Sequence, residues 1–183
     1  MKQFDSVDIG LLRKYSRPGP RYTSYPTAPA FTEAFGPSHY RDAIKQTNRP
    51  GTDSPISLYF LFPFCDTLCY FCGCTMLVTH SREQIREYNE YLKREISIVA
   101  PLIAKERPVI QLHWGGGTPS YLDPDEIRDI GEFIQKHFTI DESVEAGVEI
   151  DPRGLTFNHM RALQEVGFNR ISMGIQDFDP RVQ

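Results

Sequence analysis

The sequence predicts an α/β fold in which parallel strands are covered by helices, and two patterns lead to this prediction. From residue 56 onward, short apolar segments with strand character alternate with longer segments of helical periodicity, in the order β-α-β-α-β-α-β. Each apolar segment also ends in polar, cysteine-rich or glycine-rich residues. Parallel α/β folds carry their chemistry at the carboxyl ends of the strands, so both patterns indicate the same architecture.

The apolar segments predict four strands, at residues 56–62, 108–114, 144–150 and 170–175. Helical spacing of apolar side chains predicts three helices between them, at residues 81–104, 124–137 and 157–166. Asp123 is the expected N-cap of the second of these helices, and Gly167 is expected to end the third. Residues 177–183 are expected to begin another crossover.

The first 54 residues are predicted to form an irregular and partly helical N-terminal segment. Short helices are expected at residues 8–15 and 38–46. Ser38 is a candidate N-cap of the second helix. The prolines of residues 17–29 fix φ and remove backbone donors, which predicts extended backbone. A turn-rich stretch at residues 49–55 marks the predicted boundary between domains 1–54 and 55–183.

Length and composition restrict the class of protein. At 183 residues, the chain is long enough for one domain with a sizeable core. Its formal net charge of −4 gives no basic surface for nucleic acid. The longest apolar run, residues 58–64, is too short to span a bilayer, and residues 1–8 lack the apolar segment of a secretory signal. We therefore expect a cytoplasmic protein that binds neither nucleic acid nor a membrane.

All four cysteines lie within ten residues, at the end of the segment YFLFPFCDTLCYFCGC that spans residues 59–74. Clustered thiols of this kind are more often metal-binding or catalytic than disulfide-forming. The spacing Cys-x3-Cys-x2-Cys supplies three thiolates from one loop, and three ligands on a four-iron cluster leave the fourth iron open. A zinc site usually takes two ligand pairs separated by a longer segment, and buried free cysteines usually occur singly. The spacing therefore favours an iron–sulfur cluster over these two alternatives.

Polar and glycine-rich residues also follow the other predicted strands. The segment GGGTP, residues 115–119, follows the second strand, and Glu149 and Gln176 lie at the ends of the third and fourth. Glycines let the backbone approach a ligand closely, and a carboxylate can pair with an ammonium group or accept hydrogen bonds from hydroxyls. A plain turn, a solvated carboxylate and a helix cap are the simpler alternatives. His113 and Trp114, which precede the glycines, are expected to serve packing on a buried strand, with the imidazole of His113 satisfied by a hydrogen bond.

Four motifs together carry a resemblance to a known family. Residues 65–72, CDTLCYFC, match the CxxxCxxC signature of radical S-adenosylmethionine (SAM) enzymes. The other three motifs are RPGPRYTSYPT at residues 17–27, LHWGGGTP at 112–119 and GIQDF at 174–178. With these motifs the chain resembles the oxygen-independent coproporphyrinogen III oxidase family of that superfamily.

The resemblance implies a fold, a reaction and its cofactors. The fold would be the first part of a radical SAM (β/α) barrel, with the N-terminal segment packed near the active site. A 4Fe-4S cluster would reduce SAM, and the resulting 5′-deoxyadenosyl radical would abstract hydrogen from a propionate of coproporphyrinogen III. Loss of CO2 and an electron would leave a vinyl group, and two such events would give protoporphyrinogen IX. The family binds two SAM molecules.

The resemblance also implies roles for particular residues. The cluster ligands would be Cys65, Cys69 and Cys72, whereas Cys74 would not be a ligand. The residues matching contacts to the cluster-bound SAM are Tyr59, Gly116 and Glu149. Those matching contacts to the second SAM are Phe71, Gly117, Thr118 and Gln176. Leu61 departs from the family pattern, which usually has histidine at this position.

Further expectations concern the substrate, the partners and the extent of the chain. Arg17 and Arg21 are candidates for binding the substrate carboxylates. A complete barrel takes on the order of 250 residues, so we expect an N-terminal portion of a longer, monomeric protein with an unidentified electron donor and acceptor. Two other functions remain open at this point: a haem-binding or haem-delivery protein on the same scaffold, and an electron carrier without SAM chemistry.

Overall fold

The computed structural model describes residues 8–16, 27–48 and 54–181, in two compact units that divide after Pro37. In the first unit, helix α1 (Ile9–Tyr15) starts at Asp8, whose carboxylate accepts hydrogen bonds from two backbone N–H groups. Arg17 and Arg21 lie outside the described residues, as do residues 49–53 at the predicted domain boundary. The substrate role of the two arginines and the boundary at residue 54 therefore stay predictions.

The second unit alternates strands and helices as the sequence predicts. Its helices are α2 (Pro37–Thr47, which begins at the division), α3 (Arg82–Val99), α4 (Pro124–His137) and α5 (Phe157–Val166). Its strands are β1 (Ile56–Phe62), β2 (Phe64–Cys65), β3 (Leu77–Val78), β4 (Val109–Gly116), β5 (Ile140–Glu149) and β6 (Arg170–Ser172). None of the helices among the described residues has the length and apolar character needed to cross a membrane.

The main sheet is parallel throughout, which confirms the predicted fold class. Its four strands lie in the order β1-β4-β5-β6, and each neighbouring pair is parallel. The two short strands β2 and β3 form a separate parallel pair beside the end of β1. Their hydrogen bonds hold the beginning and the end of the cysteine-containing loop together.

One face of the main sheet forms the hydrophobic core. Side chains alternate between the two faces of a strand, and on this face they are large and apolar. The core face consists of Phe60, Phe62, Leu112, Trp114, Ala146 and Val148. It packs against isoleucines of the covering helices, among them Ile85, Ile127, Ile130 and Ile134, all almost completely buried. Each such side chain contributes about 1.5–3 kcal/mol by leaving water.

Predicted helix ends agree with the structure where the local sequence carries a clear signal. Helix α4 begins after Asp123, whose N–H donates to the Glu126 carboxylate at 2.8 Å, and α5 ends at Gly167 with a left-handed φ of 97°. The expected cap at Ser38 is wrong, because α2 already begins at Pro37. Proline is well suited to the first helical position, because the backbone N–H that it lacks would have no hydrogen-bond partner within the helix there.

Other boundaries differ from the prediction. The helix expected to reach residue 104 ends at Val99 and continues as a 3₁₀ turn, Ala100–Leu102, that contains Pro101. Strand β5 begins at Ile140 rather than residue 144, because Ile140 pairs with Val109 of β4. Strand β6 ends at Ser172 rather than residue 175, where its partner β5 also ends.

Candidate functional site

The second face of the sheet carries the candidate site. We call Tyr59, Leu61, His113, Gly115 and Glu149 the open face; they alternate with the core-face residues along β1, β4 and β5. Tyr59 is 59% exposed, and the side chains of His113 and Glu149 are 37% and 39% exposed. The expectation that His113 is buried is therefore wrong, whereas the expected packing and the hydrogen-bonded imidazole are both found. His113 lies on the open face, and Trp114 next to it lies in the core.

Three side chains of the open face contact one another. The Tyr59 and His113 rings stack with their centroids 5.4 Å apart and their planes 21° apart. His113 Nε2 lies 3.3 Å from Glu149 Oε1, and Glu149 Oε2 accepts a hydrogen bond from the Gly116 N–H at 3.3 Å. Burial raises the pKa of Tyr59, and the charges of Glu149 and Cys74 raise it further. The structure thus brings together the three residues predicted to contact the cluster-bound SAM, namely Tyr59, Gly116 and Glu149.

Gly115 makes this arrangement possible. A Cβ atom at residue 115 would lie 2.5 Å from the Tyr59 hydroxyl oxygen and 2.8 Å from Glu149 Oε1. Both distances are too short for any real side chain, so only glycine lets the two polar groups approach across β4. Sequence reasoning treated Gly115 as part of a glycine run and missed this role. The register of β1, β4 and β5 is the information that was lacking.

The next two glycines connect the open face to the loop that carries the cysteines. Gly116 has a φ of 112°, and a Cβ atom there would overlap Leu61 Cδ1. The Gly117 N–H donates to the Phe62 carbonyl oxygen at 2.8 Å, and the Thr118 N–H donates to the Phe64 carbonyl oxygen at 2.8 Å. These bonds fix the segment before the first cysteine against the end of β4.

Cys65 and Thr118 meet where β2 ends. Cys65 Sγ lies 3.3 Å from Thr118 Oγ1. Burial raises the pKa of the Cys65 thiol, the hydrogen bond with Thr118 lowers it, and the charges of Cys69, Cys72 and Cys74 raise it again. Cys65 is buried, whereas the other three cysteines are exposed on the following loop, and none of the four forms a disulfide. The effect of these three thiols on the pKa of Cys65 places them within electrostatic range of Cys65.

The thiols do not stand in ligand geometry. Within residues 8–16, 27–48 and 54–181, no three His, Cys, Asp or Glu side chains are arranged to hold a metal ion. The assignment of Cys65, Cys69 and Cys72 as ligands therefore stays a prediction. Their chemistry nevertheless fits an iron–sulfur cluster, because all three are free thiols on one loop and thiolates are the ligands that such clusters take.

Arg153 is a second residue that sequence reasoning missed. Its guanidinium contacts both carboxylate oxygens of Asp151, directly after β5, and Asp151 raises the pKa of Arg153 strongly. Cys69 raises that pKa further, which places the guanidinium beside the cysteine loop. The Asp151 N–H also donates to Ser120 Oγ at 3.0 Å, so the ends of β4 and β5 are joined here. The sequence feature that could have indicated this ion pair is the position of the arginine, two residues after Asp151 at the end of a predicted strand.

Phe71 and Gln176 are not brought into the cluster of contacts described above. Phe71 is exposed on the cysteine loop. Gln176 follows the end of β6 and has a φ of 68°, which is unusual for a residue other than glycine. Within the described part of the chain, no hydrogen bond or ring contact joins either side chain to Gly117 or Thr118. The predicted site for a second SAM therefore stays a prediction.

Comparison with known proteins decides the family. A family model described as the radical SAM superfamily matches residues 59–183, which contain the open face and all four cysteines. The chain belongs to the radical SAM superfamily. Membership implies a 4Fe-4S cluster and SAM as cofactors. It also explains why the polar groups of this radical SAM protein gather at the carboxyl ends of the strands.

Individual relatives are similar over nearly the whole chain. Oxygen-independent coproporphyrinogen III oxidase from Pseudomonas aeruginosa is 43% identical over 96% of this chain, and the protein of the same name from Synechocystis sp. is 43% identical over 98%. The structure of coproporphyrinogen III oxidase from Escherichia coli, described as a radical SAM enzyme, matches 97% of the chain with a TM-score of 0.82 and 42% identity. This match confirms the predicted radical SAM fold. The chain spans 38–39% of the length of these three proteins.

Proposed function

We propose that this protein is an oxidoreductase that converts two propionate side chains of coproporphyrinogen III to vinyl groups without oxygen, giving protoporphyrinogen IX. Each conversion removes one hydrogen atom, CO2 and one electron from a propionate. The observation that carries the proposal is the contact of Tyr59, His113, Glu149 and Gly116 beside a loop of three-thiol spacing. The relatives that share this sequence at 42–43% identity carry the name of that activity.

The residues of the site divide into two groups by their chemistry. Cys65, Cys69 and Cys72 hold the 4Fe-4S cluster, because thiolates are the ligands that such clusters take. When bound, the cluster and SAM supply the one-electron and hydrogen-abstraction chemistry of the reaction. Glu149 and Tyr59 offer a carboxylate and a hydroxyl at the end of the sheet, which suit the ammonium and hydroxyl groups of SAM.

The proposal also includes a second bound SAM molecule. Phe71, Gly117, Thr118 and Gln176 are the residues that would hold it. The support is that Thr118 touches Cys65 directly, at 3.3 Å, so a ligand on the GGGTP segment would lie next to the cluster loop. The protein would act in the cytoplasm as a monomer, together with an electron donor and an electron acceptor that are unidentified.

The test is anaerobic reconstitution of the full-length protein with iron and sulfide, followed by an assay with SAM, a reductant and coproporphyrinogen III. We expect release of 5′-deoxyadenosine and formation of protoporphyrinogen IX. A reconstituted cluster without release of 5′-deoxyadenosine would contradict the proposed activity.

Two cysteine variants provide a matched control for the cluster. Cys69→Ser removes a proposed ligand and is expected to lose the bound iron and all activity. Cys74→Ser changes a thiol of the same loop that is not proposed as a ligand, and it is expected to retain the cluster. Equal loss of iron in both variants would overturn the assignment of the three ligands.

A further inference from the structure

The carboxylate of Glu149 is held by two hydrogen-bond partners. One oxygen lies 3.3 Å from His113 Nε2, and the other accepts from the Gly116 N–H at 3.3 Å. A glutamate side chain at the exposed end of a strand has several rotamers of similar energy, and ordering it costs entropy. Two partners on different oxygens restrict it to one orientation. Of these two partners, His113 contributes a side chain and Gly116 contributes a backbone N–H.

The His113 ring is itself fixed on two sides. It stacks on Tyr59, and on the neighbouring strand it faces Gly147, with which His113 pairs in the sheet. A Cβ atom at residue 147 would lie 3.0 Å from His113 Nδ1. Any larger residue at 147 would therefore press on the ring, so glycine at this position provides the space that the imidazole occupies.

We infer that His113 is a positioning residue that orients the Glu149 carboxylate for SAM binding. Its Nε2–H donates to Glu149 Oε1. Stacking on Tyr59 keeps the ring in the orientation that points Nε2 at Glu149, and the glycine at 147 leaves room for the ring in that orientation. This role rests on the proposed contact between Glu149 and SAM. It assigns His113 no contact with SAM or with the cluster.

The test is an anaerobic titration of the reconstituted full-length protein with SAM, in which the Kd for SAM is measured for four variants. Glu149→Gln removes the carboxylate charge. His113→Leu removes the hydrogen bond, and His113→Gln restores an N–H donor at about the position of Nε2. The fourth variant combines His113→Leu with Glu149→Gln. Iron content and thermal midpoint are measured alongside, so that loss of the cluster or of the fold is distinguished from loss of SAM affinity.

We expect His113→Leu to raise the Kd for SAM about tenfold, which is the size of one hydrogen bond to a charged group. His113→Gln should recover most of the affinity, and the double variant should be no weaker than Glu149→Gln alone. Gly147→Ala is a fifth variant, which keeps both His113 and Glu149; it should also weaken SAM binding, because the added Cβ atom displaces the His113 ring.

Three results would overturn the inference. The first is a wild-type Kd for SAM in both His113→Leu and Gly147→Ala. The second is an equal loss of SAM affinity in His113→Leu and His113→Gln. The third is a double variant in which the losses of SAM affinity of the two single variants add. A wild-type Kd in Glu149→Gln would instead remove the proposed role of Glu149 in SAM binding, and the inference with it. The two failures are therefore distinguishable.

Discussion

The two faces of the main sheet use alternate residues of the same three strands for opposite purposes. On the core face, Phe62, Trp114 and Val148 are fully buried. On the open face, the neighbouring residues Leu61, His113 and Glu149 are partly exposed. Moving one position along a strand thus changes a residue from one that stabilises the fold to one on the face proposed to bind SAM.

The faces also differ in how space is used. The core face is filled by aromatic rings: Phe62 and Trp114 lie 4.7 Å apart, and Trp114 contacts Phe168 at 5.0 Å. The open face is kept clear by Gly115 and Gly147, where a Cβ atom would meet a polar side chain. Substitutions on the core face should therefore change stability, and substitutions on the open face should change ligand affinity.

The largest effect is expected at Trp114, in the centre of the core face. Trp114→Ala should lower the free energy of unfolding by about 3–5 kcal/mol, because it leaves a cavity among aromatic neighbours. Trp114→Phe is the matched control. It keeps a ring and removes an indole N–H that has no hydrogen-bond partner among the described residues, so it should cost much less. Urea unfolding followed by circular dichroism measures both; equal stability of Trp114→Ala and the wild type would contradict the core assignment.

The next effect is expected at Gly115, on the open face. Gly115→Ala places a Cβ atom against Tyr59 and Glu149 and should raise the Kd for SAM at least tenfold, or about 1.4 kcal/mol. Gly154→Ala is the control, because nothing lies within 4 Å of a Cβ atom there. An anaerobic SAM titration compares the two variants. Similar affinities would show that the crowding of Tyr59 and Glu149 has no part in SAM binding.

The sequence predicted the elements well wherever a local signal marks them. Strand β1 and helices α4 and α5 have the predicted bounds, because apolar periodicity is joined there by Pro124 at one helix start and Gly167 at one helix end. The ends of β5 and β6 were wrong because a strand continues only while a neighbouring strand pairs with it. Pairing is a tertiary property that periodicity does not contain.

The site was predictable in its residue types but not in its contacts. Motifs placed Tyr59, Gly116 and Glu149 at the same edge, and the structure brings them together. The partners of Glu149 depend on register, which sets His113 opposite Gly147. A single sequence gives no register between strands that are separated by a helix. This is why Glu149 could not be predicted as the hydrogen-bond partner of His113.

The smallest effect is expected at Asp151, at the edge where the two faces end. Hydrogen bonds from Arg153 lower the pKa of Asp151 in the folded protein. Since the folded pKa is the lower one, the stabilisation is present above the unfolded value of about 3.9 and is lost as the pH falls through the folded value. Asp151→Asn should therefore be less stable than the wild type near neutral pH, and this difference should shrink below about pH 4.

Unfolding in urea across this pH range measures the Asp151 effect. Asp42→Asn on α2 is the control, because Asp42 is exposed and makes no ion pair with the described residues. The same pH dependence in both variants would show that the pair with Arg153 does not contribute to stability.

Val148 and Glu149 give the most direct test, because they are neighbours on β5 and belong to opposite faces. The measurement is the Kd for SAM of the reconstituted full-length protein, with the free energy of unfolding determined in parallel. Val148→Ala should cost about 2 kcal/mol of stability and leave the Kd unchanged. Glu149→Gln should raise the Kd about tenfold or more and leave stability within about 0.5 kcal/mol of the wild type. Wild-type SAM affinity in Glu149→Gln, or equal loss of affinity in both variants, would contradict the account.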